Sequence, residues 1–297
     1  MKRLMTILAA ALCLLAAASV RGTEYPPVFP EEWKSAPLID SEYRILVPGV
    51  TYCHYHFKEL DGKPLSIYLI VVEWDKADVA LKIGIAGKGT LQTVRSMVEK
   101  DRDILVAAVN GAYFNFIPPV PYFYIKSDGE VFHPKESNKD RWATGLVFNG
   151  GEYPELVAGN QENLEKYDNM IQGYWLGKHG VNPQKKRLEN GKKDATPYTA
   201  VGLNPEKKLL VLWVNDGRHP NDSPGIGFWE IPEYLFKLGC TEVLSIDGGG
   251  SSTMVLPGKD GLEVKNHPSD NRRFDHNGER RVQNCLYLVK KNGKSEK

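Results

Sequence analysis

The stretch VLSIDGGGSSTMVL, Val243 to Leu256, carries the fold problem of this chain. An apolar run ends in one acid, Asp247. Gly248, Gly249, Gly250, Ser251, Ser252 and Thr253 follow, and the chain turns apolar again at Met254. Thr241–Ile246 reads as a buried strand, so Asp247 stands at a strand end. A carboxylate there is costly unless it is hydrogen-bonded or faces a polar cleft. Three glycines permit positive φ and close approach of a ligand, and successive exposed N–H groups can form an anion-binding nest. Three hydroxyls add donors. The set suits a phosphate or a sugar hydroxyl beside an acid or base. It has neither the spacing of a Walker loop nor that of a dinucleotide fingerprint, and neither serine lies in a G-x-S-x-G elbow. The competing explanation is a tight turn whose aspartate bonds its own backbone.

Strand signals dominate the flanking sequence. SIYLIVVEW (66–74), VALKIGIA (79–86), ILVAAV (104–109), GLVFN (145–149), LLVLWVN (209–215) and NCLYLV (284–289) are short, β-branched or aromatic, and bounded by turn residues. Helix signals are fewer. TLQTVRSMVEKD (90–101) offers Thr90 as a cap, IPEYLFKLG (231–239) has Pro232 near its start and Gly239 as a stop, and ENLEKYDNM (162–170) is a third candidate. Strands do not alternate regularly with helices. The expected fold is therefore α+β, a single domain with a mixed, largely antiparallel sheet and a few packed helices.

Three more strand ends carry polar residues. Asn110-Gly111 follows one apolar strand, with Tyr113, Phe114 and Phe116 just beyond. Asn-Gly is a common hairpin turn; the functional alternative is an amide gripping a polar ligand beside aromatic rings. Asn215, Asp216, Gly217 and Arg218 close another strand, as an exposed turn or as part of a shared rim. Asn266 to Asn284 is polar and holds Arg272, Arg273, Arg280 and Arg281 among Asp270, Asp275 and Glu279. It reads as a solvated loop or as a guanidinium fork for phosphate, a geometry that Arg meets better than Lys.

Composition sets outer bounds. The 297 residues are 41% hydrophobic and 25% charged, with 38 basic against 37 acidic residues and a formal charge of +1. Nucleic-acid binding is not expected, since no basic excess exists. Met1–Ala18 reads as a signal peptide: Lys2 and Arg3, an apolar run, then Ala16 and Ala18 before Ser19. A secreted or periplasmic location follows, with no membrane span after cleavage; the bulky Leu12 argues against lipid attachment at Cys13. Residues 19–43 are Pro-rich, a linker or strap. Cys53, Cys240 and Cys285 allow at most one disulfide. No Cys-x-x-Cys pair exists, and His54 with His56 is too small a set for a metal, so neither metal nor cofactor is expected.

Taken in order, VNGAYFN, NDGRHP, LSIDGGGSSTMV, and NHPSD followed by ERRV resemble the phosphodiester glycosidase family, over roughly Ser66–Val289. The resemblance implies that residues 44–297 form a phosphodiester glycosidase-like domain. It implies hydrolysis of a sugar-1-phosphodiester, such as an N-acetylglucosamine-1-phosphodiester, to free sugar and phosphomonoester. In that light Asp247 is the main carboxylate, as base or nucleophile, and Glu279 the second candidate. Arg280, the backbone of Gly248–Gly250, Ser251, Ser252 and Thr253 hold phosphate. Asn110 with Gly111 binds a sugar hydroxyl or N-acetyl group; Asp216, Arg218 and Asn266 support the rim. The pattern departs at Tyr198, which stands where the family carries Arg, and mildly at Ala112. The partner is a small-molecule or glycan phosphodiester; oligomeric state is left open. Two other classes stay in play: a phosphodiesterase cleaving P–O, and a glycan-binding protein without catalysis.

Overall fold

The run Ser66–Trp74 is apolar at nearly every position because both its faces are covered. In the strand Lys63–Glu73, Tyr68, Ile70 and Val72 enter one core cluster, while Ile67, Leu69 and Val71 enter another. Side chains alternate across a strand, so a strand packed on both faces loses its polar alternation. The computed structural model describes residues 20–21, 29–132, 143–159, 161–183, 185–186 and 195–291. The expected signal peptide, residues 1–18, lies outside them.

Two sheets face each other. Among the described residues the larger has twelve strands and runs through Leu38–Val47, Val50–Leu60, Lys63–Glu73, Leu209–Asn215, Tyr198–Asn204, Glu242–Ser245, Asn169–Gly177, Ala143–Phe148 and Glu155–Ala158. The smaller has five: Leu262–Val264, Met254–Pro257, Leu105–Asn110, Asn284–Lys290 and Val79–Ile85. Between them lies a core of Tyr52, Ile70, Val72, Leu212 and Leu244 from the larger sheet against Leu81, Ile83, Val109, Leu256 and Leu288 from the smaller. The outer face of the larger sheet, with Tyr55, Leu69 and Trp213, is covered by the helix Ile231–Lys237 through Ile231, Tyr234 and Leu235. The outer face of the smaller is covered by the helix Val94–Val98 through Val94, Met97 and Val98. The result is a β-sandwich with a short helix on each side.

This corrects the expected architecture in two ways. The largely antiparallel expectation holds, but among the described residues every paired ladder is antiparallel, so the sheets are not mixed. The helical share is also smaller. TLQTVRSMVEKD gives only Val94–Val98 and a 3₁₀ turn, capped by Thr93 (Oγ1 accepts from Ser96 N, 3.2 Å) rather than Thr90. Gln161–Lys166 is helical, but Asn169 already begins a strand. A five- to seven-residue helix cannot stand alone in water; Val94–Val98 and Ile231–Lys237 persist because their apolar sides close a sheet face. Cys53, Cys240 and Cys285 are buried free thiols, and burial pushes those of Cys53 and Cys285 up to about 12.

The expected boundary at residue 43 falls inside the strand Leu38–Val47, which pairs with Val50–Leu60. Before it, Trp33 is fully buried and meets the rings of Tyr55 and Phe57 edge-on at 6.0 and 5.6 Å. The strap is thus part of the outer core from Phe29 on. Trp33→Ala is expected to cost about 3–5 kcal/mol of stability, read from urea unfolding; a change below 1 kcal/mol would return the segment to linker status.

Candidate active site

Glu242–Ser245 sits in the larger sheet between Tyr198–Asn204 and Asn169–Gly177, whereas Met254–Pro257 sits in the smaller sheet beside Leu105–Asn110. Residues 246–253 are therefore the crossover between the two sheets. One buried amide fixes it. Asn110 Nδ2 donates to the Asp247 carbonyl (2.8 Å), while its Oδ1 accepts from Thr199 Oγ1 (2.6 Å) and Thr253 N (3.1 Å). Asp247 N donates to the Gly111 carbonyl at 2.9 Å. Strand ends of both sheets thus converge on Asp247.

Asp247 is half-buried. Burial pushes its carboxyl up to about 6, against the opposing pull of the Ser251 hydroxyl, the Gly248 N–H (2.8 Å) and the Arg280 charge. The glycines serve the packing around it. Gly249 has φ 62°, a left-handed turn that side chains disfavour, and a Cβ there would meet Arg218 Nη2 at 2.8 Å. A Cβ on Gly250 would lie 2.4 Å from Arg280 Nη2, and one on Gly248 would lie 2.8 Å from Cδ1 of Tyr198. The expected N–H nest is largely spent inside the chain: Gly248 N goes to Asp247 and Gly249 N to the Pro197 carbonyl (2.8 Å). The triplet makes room for two guanidinium groups and a ring.

Those guanidinium groups line a cavity of about 450 Å³ with Arg272, His219, Ser269 and Asp270. Arg280 Nε bonds Asp270 Oδ1 at 2.9 Å, and its Nη1 lies 3.5 Å from Ser251 Oγ. Arg218 Nη1 reaches Ser269 Oγ at 3.4 Å. Among the described residues neither Arg218 nor Arg272 is in an ion pair, so three cations face one carboxylate. Both arginines hold positive φ, 66° and 60°. Such backbone costs about 1–3 kcal/mol and concentrates at functional sites. Asp270 and Arg272 come from the charged stretch 266–284 that the sequence offers as a guanidinium fork, while His219 and Ser269 join the cavity beside Arg218 and Asp270 without a signal of their own.

On the other side of Gly248 stands an aromatic wall. Tyr198 contacts Phe228 (centroids 5.6 Å), Phe228 meets Tyr174 (5.8 Å), and Tyr174 meets Tyr113 (5.4 Å). Burial pushes the Tyr113 hydroxyl up, and the Asp247 charge adds to the shift. Ring faces beside a carboxylate suit a sugar.

Several expected ligands are instead scaffold. Asn110 is fully buried with its oxygen doubly used, so it positions Asp247 rather than gripping sugar. Gly111 has no room for a Cβ, which would fall 1.9 Å from Asn284 Oδ1. Asn266 donates to the Ser252 carbonyl (2.9 Å) and accepts from Met254 N (2.8 Å). Asp216 is fully buried and accepts from His267 N (2.8 Å), His267 Nδ1 (2.8 Å) and Tyr68 Oη (3.1 Å), a network with no sequence signal. Glu279 turns to the helix Val94–Val98, pairing with Arg95 Nε at 2.6 Å and N at 3.1 Å. It is no second carboxylate of the site. Ser251 bonds Asp247; the hydroxyls of Ser252 and Thr253 are buried, with no partner among the described residues. His54 is stacked on Tyr68 at 4.3 Å and pushed down to about 3 by burial.

Residues 103–289 match the sequence profile of the phosphodiester glycosidase family. The chain belongs to that family, which is one of hydrolases. Over 73 residues it is 38% identical to bovine N-acetylglucosamine-1-phosphodiester alpha-N-acetylglucosaminidase, covering 25% of this chain and 13% of that protein. The human protein of the same name gives 38% over 73 residues, covering 25% and 14%. In structure it resembles the zebrafish N-acetylglucosamine-1-phosphodiester alpha-N-acetylglucosaminidase catalytic domain, auto-inhibited by its pro-peptide, with TM-score 0.59, 18% identity and coverage of 92% and 87%. A hypothetical protein from Synechocystis gives TM-score 0.57 and 12% identity, covering 81% and 62%. These two likenesses establish the shared fold.

The raised Asp247 carboxyl has a thermodynamic signature. The folded chain holds this proton more tightly than the unfolded chain, whose Asp titrates near 3.9. Asp247 therefore lowers stability as pH rises from about 4 to about 6, with the full cost present above that. Asp247→Asn is expected to gain stability at pH 7, on the order of 1–3 kcal/mol, and to lose that part of the pH slope. Equal slopes in both proteins would place an ordinary carboxyl at 247.

Proposed function

We propose that the chain hydrolyses the glycosidic bond of a sugar-1-phosphodiester, releasing free sugar and a phosphomonoester. The observation that carries this is the juxtaposition at the glycine triplet: a raised carboxyl, Asp247, with an arginine-lined cavity on one side and an aromatic wall on the other. The diester phosphate sits against Arg218, Arg272 and Arg280. The sugar lies on Tyr113, Tyr174 and Tyr198, an N-acetylglucosamine-like ring being the natural first candidate given the names of the relatives.

In the step itself, Asp247 takes a proton from water as its oxygen attacks the anomeric carbon. The bond from that carbon to the phosphate oxygen breaks, and the electron pair leaves on the phosphate. A general base works best with a pKa near the operating pH. A phosphomonoester, whose second ionisation lies near pH 6, needs little help from a general acid. The guanidinium groups stabilise the charge it acquires. This explains how one carboxylate suffices where glycosidases ordinarily need two, and Asp270, already held by Arg280, remains a positioning group. Tyr198 replaces a cation by a ring, so the phosphate falls to the Arg218 side of the triplet and the sugar to the Tyr198 side.

Export is part of the proposal, on the strength of Lys2, Arg3 and the apolar run that follows. No helix among the described residues is long and apolar enough to cross a membrane.

Hydrolysis of a methyl phosphodiester of N-acetylglucosamine in heavy-oxygen water tests the bond cleaved. Label is expected in the sugar; label in the phosphate would make the protein a phosphodiesterase. Asp247→Asn is expected to lose about 10²–10⁴ in kcat/KM, and the wild-type kcat/KM to fall below pH about 6 as Asp247 takes up its proton. Near-normal turnover of the variant would remove Asp247 from the mechanism, and saturable sugar binding without turnover would make the protein a lectin.

A further inference from the structure

Directly after Tyr113 the chain leaves both sheets and forms a two-stranded hairpin, Phe114–Phe116 with Pro119–Pro121. Turn tips are usually polar. Here Ile117 is 94% exposed, Phe116 50% and Tyr122 49%, three of the large apolar side chains that the chain leaves in water. They lie within seven residues around one turn, whereas among the described residues the others are the pair Ile39 and Ile45 along one strand and the single residues Val131 and Val181. A cluster of this kind marks a contact surface more often than single exposed residues do.

The hairpin is anchored, not frayed. Phe114 packs against the outer core of the smaller sheet and meets Phe116 at 4.8 Å, and Tyr122 N donates to the Tyr113 carbonyl at 2.7 Å. Its position is tied to the phosphate cavity: the Arg280 guanidinium lies over the Phe116 ring at 5.3 Å. An arginine from the cavity thus stacks on the ring that borders the turn of an apolar finger. The sugar wall begins at Tyr113 on the other flank. A molecule whose phosphate occupies the arginine cavity, with its sugar on Tyr113, Tyr174 and Tyr198, therefore has its remaining substituent free to run along Phe116 toward Ile117.

We propose that this substituent is an alkyl or prenyl chain, so that the substrate is an amphiphilic phosphodiester: sugar, phosphate, then hydrocarbon, with the 114–122 hairpin as the rest for the hydrocarbon. This rests on the phosphodiester reading of the cavity. Charge complementarity selects the occupant. Three guanidinium groups next to bare aliphatic and aromatic surface match an anionic head joined to an apolar tail, and a polar glycan aglycone would leave Ile117 and Phe116 in water. Each methylene withdrawn from water is worth about a fourfold gain in affinity.

Equilibrium binding of methyl phosphate and octyl phosphate, below the micelle concentration, reads this independently of turnover. Octyl phosphate is expected to bind at least tenfold tighter to the wild type. Ile117→Ser is expected to remove most of that difference while leaving methyl phosphate affinity unchanged. Equal affinity for the two esters would overturn the proposal, as would an octyl preference that survives Ile117→Ser. So would concentration-dependent dimerisation abolished by Ile117→Ser, which would assign the finger to self-association. If octyl phosphate binds as expected but no sugar diester is cleaved, the hydrolase reading fails and the amphiphile site stands.

Discussion

The amide of Asn110 is where the two sheets are held in register at the site. It closes the last strand position of the smaller sheet, accepts from Thr199 in the larger sheet, accepts from Thr253 at the far end of the crossover, and donates to the carbonyl of Asp247. A buried amide left half-bonded costs about 1–3 kcal/mol per group, so the crossover cannot shift without losing several bonds together. That constraint fixes the backbone of Asp247, and with it the position of everything that leans on the glycine triplet. Asn110 is thus as important to the site as sequence reading suggested, through another residue rather than through substrate.

The glycines follow from the same constraint. Once the crossover is fixed, Arg218, Arg280 and Tyr198 approach it from three directions, each within contact of the place a Cβ would occupy. The cations gather on the side of Gly249 and Gly250, the ring on the side of Gly248. Asp247 sits at the seam, desolvated enough to raise its carboxyl yet restrained by Ser251 and by the Arg280 charge. A carboxyl held near 6 between a cationic cavity and an aromatic surface suits phosphate departure from a sugar, because the charge that moves is met by groups already in place.

Much of this was legible in the sequence. Short β-branched runs ending in Asn110, Asn215 and Ile246 marked the strands, and their polar ends marked a shared rim. What the sequence hid is what depends on the third dimension. The division of the strands between two facing sheets is set by which strands become neighbours, which local composition does not encode. Glu279 reads as the second carboxylate candidate in the Glu-Arg segment that the family resemblance picks out, or as a structural partner of Arg280, yet the backbone turns it toward Arg95. Asp216 ends an apolar strand and reads either as an exposed turn or as part of a shared rim; here it is fully buried and wired to His267 and Tyr68, some 51 and 148 positions away. Asp270 and Arg272 were visible only as members of a charged stretch. Their selection over Arg273 and Arg281 comes from the left-handed turn at Arg272 and the pairing of Asp270 with Arg280.

The proposed site is an arrangement in space: phosphate on the arginine side of the glycine triplet, sugar on the tyrosine side, and Asp247 between. A crystal structure of the Asp247→Asn protein soaked with an uncleaved N-acetylglucosamine-1-phosphodiester tests it directly. The phosphate is expected within hydrogen-bond distance of Arg218 and Arg280, the sugar ring against Tyr113 and Tyr198, and the anomeric carbon facing residue 247. A phosphate bound away from these arginines, or a sugar held on the Asp216–His267 side, would contradict it.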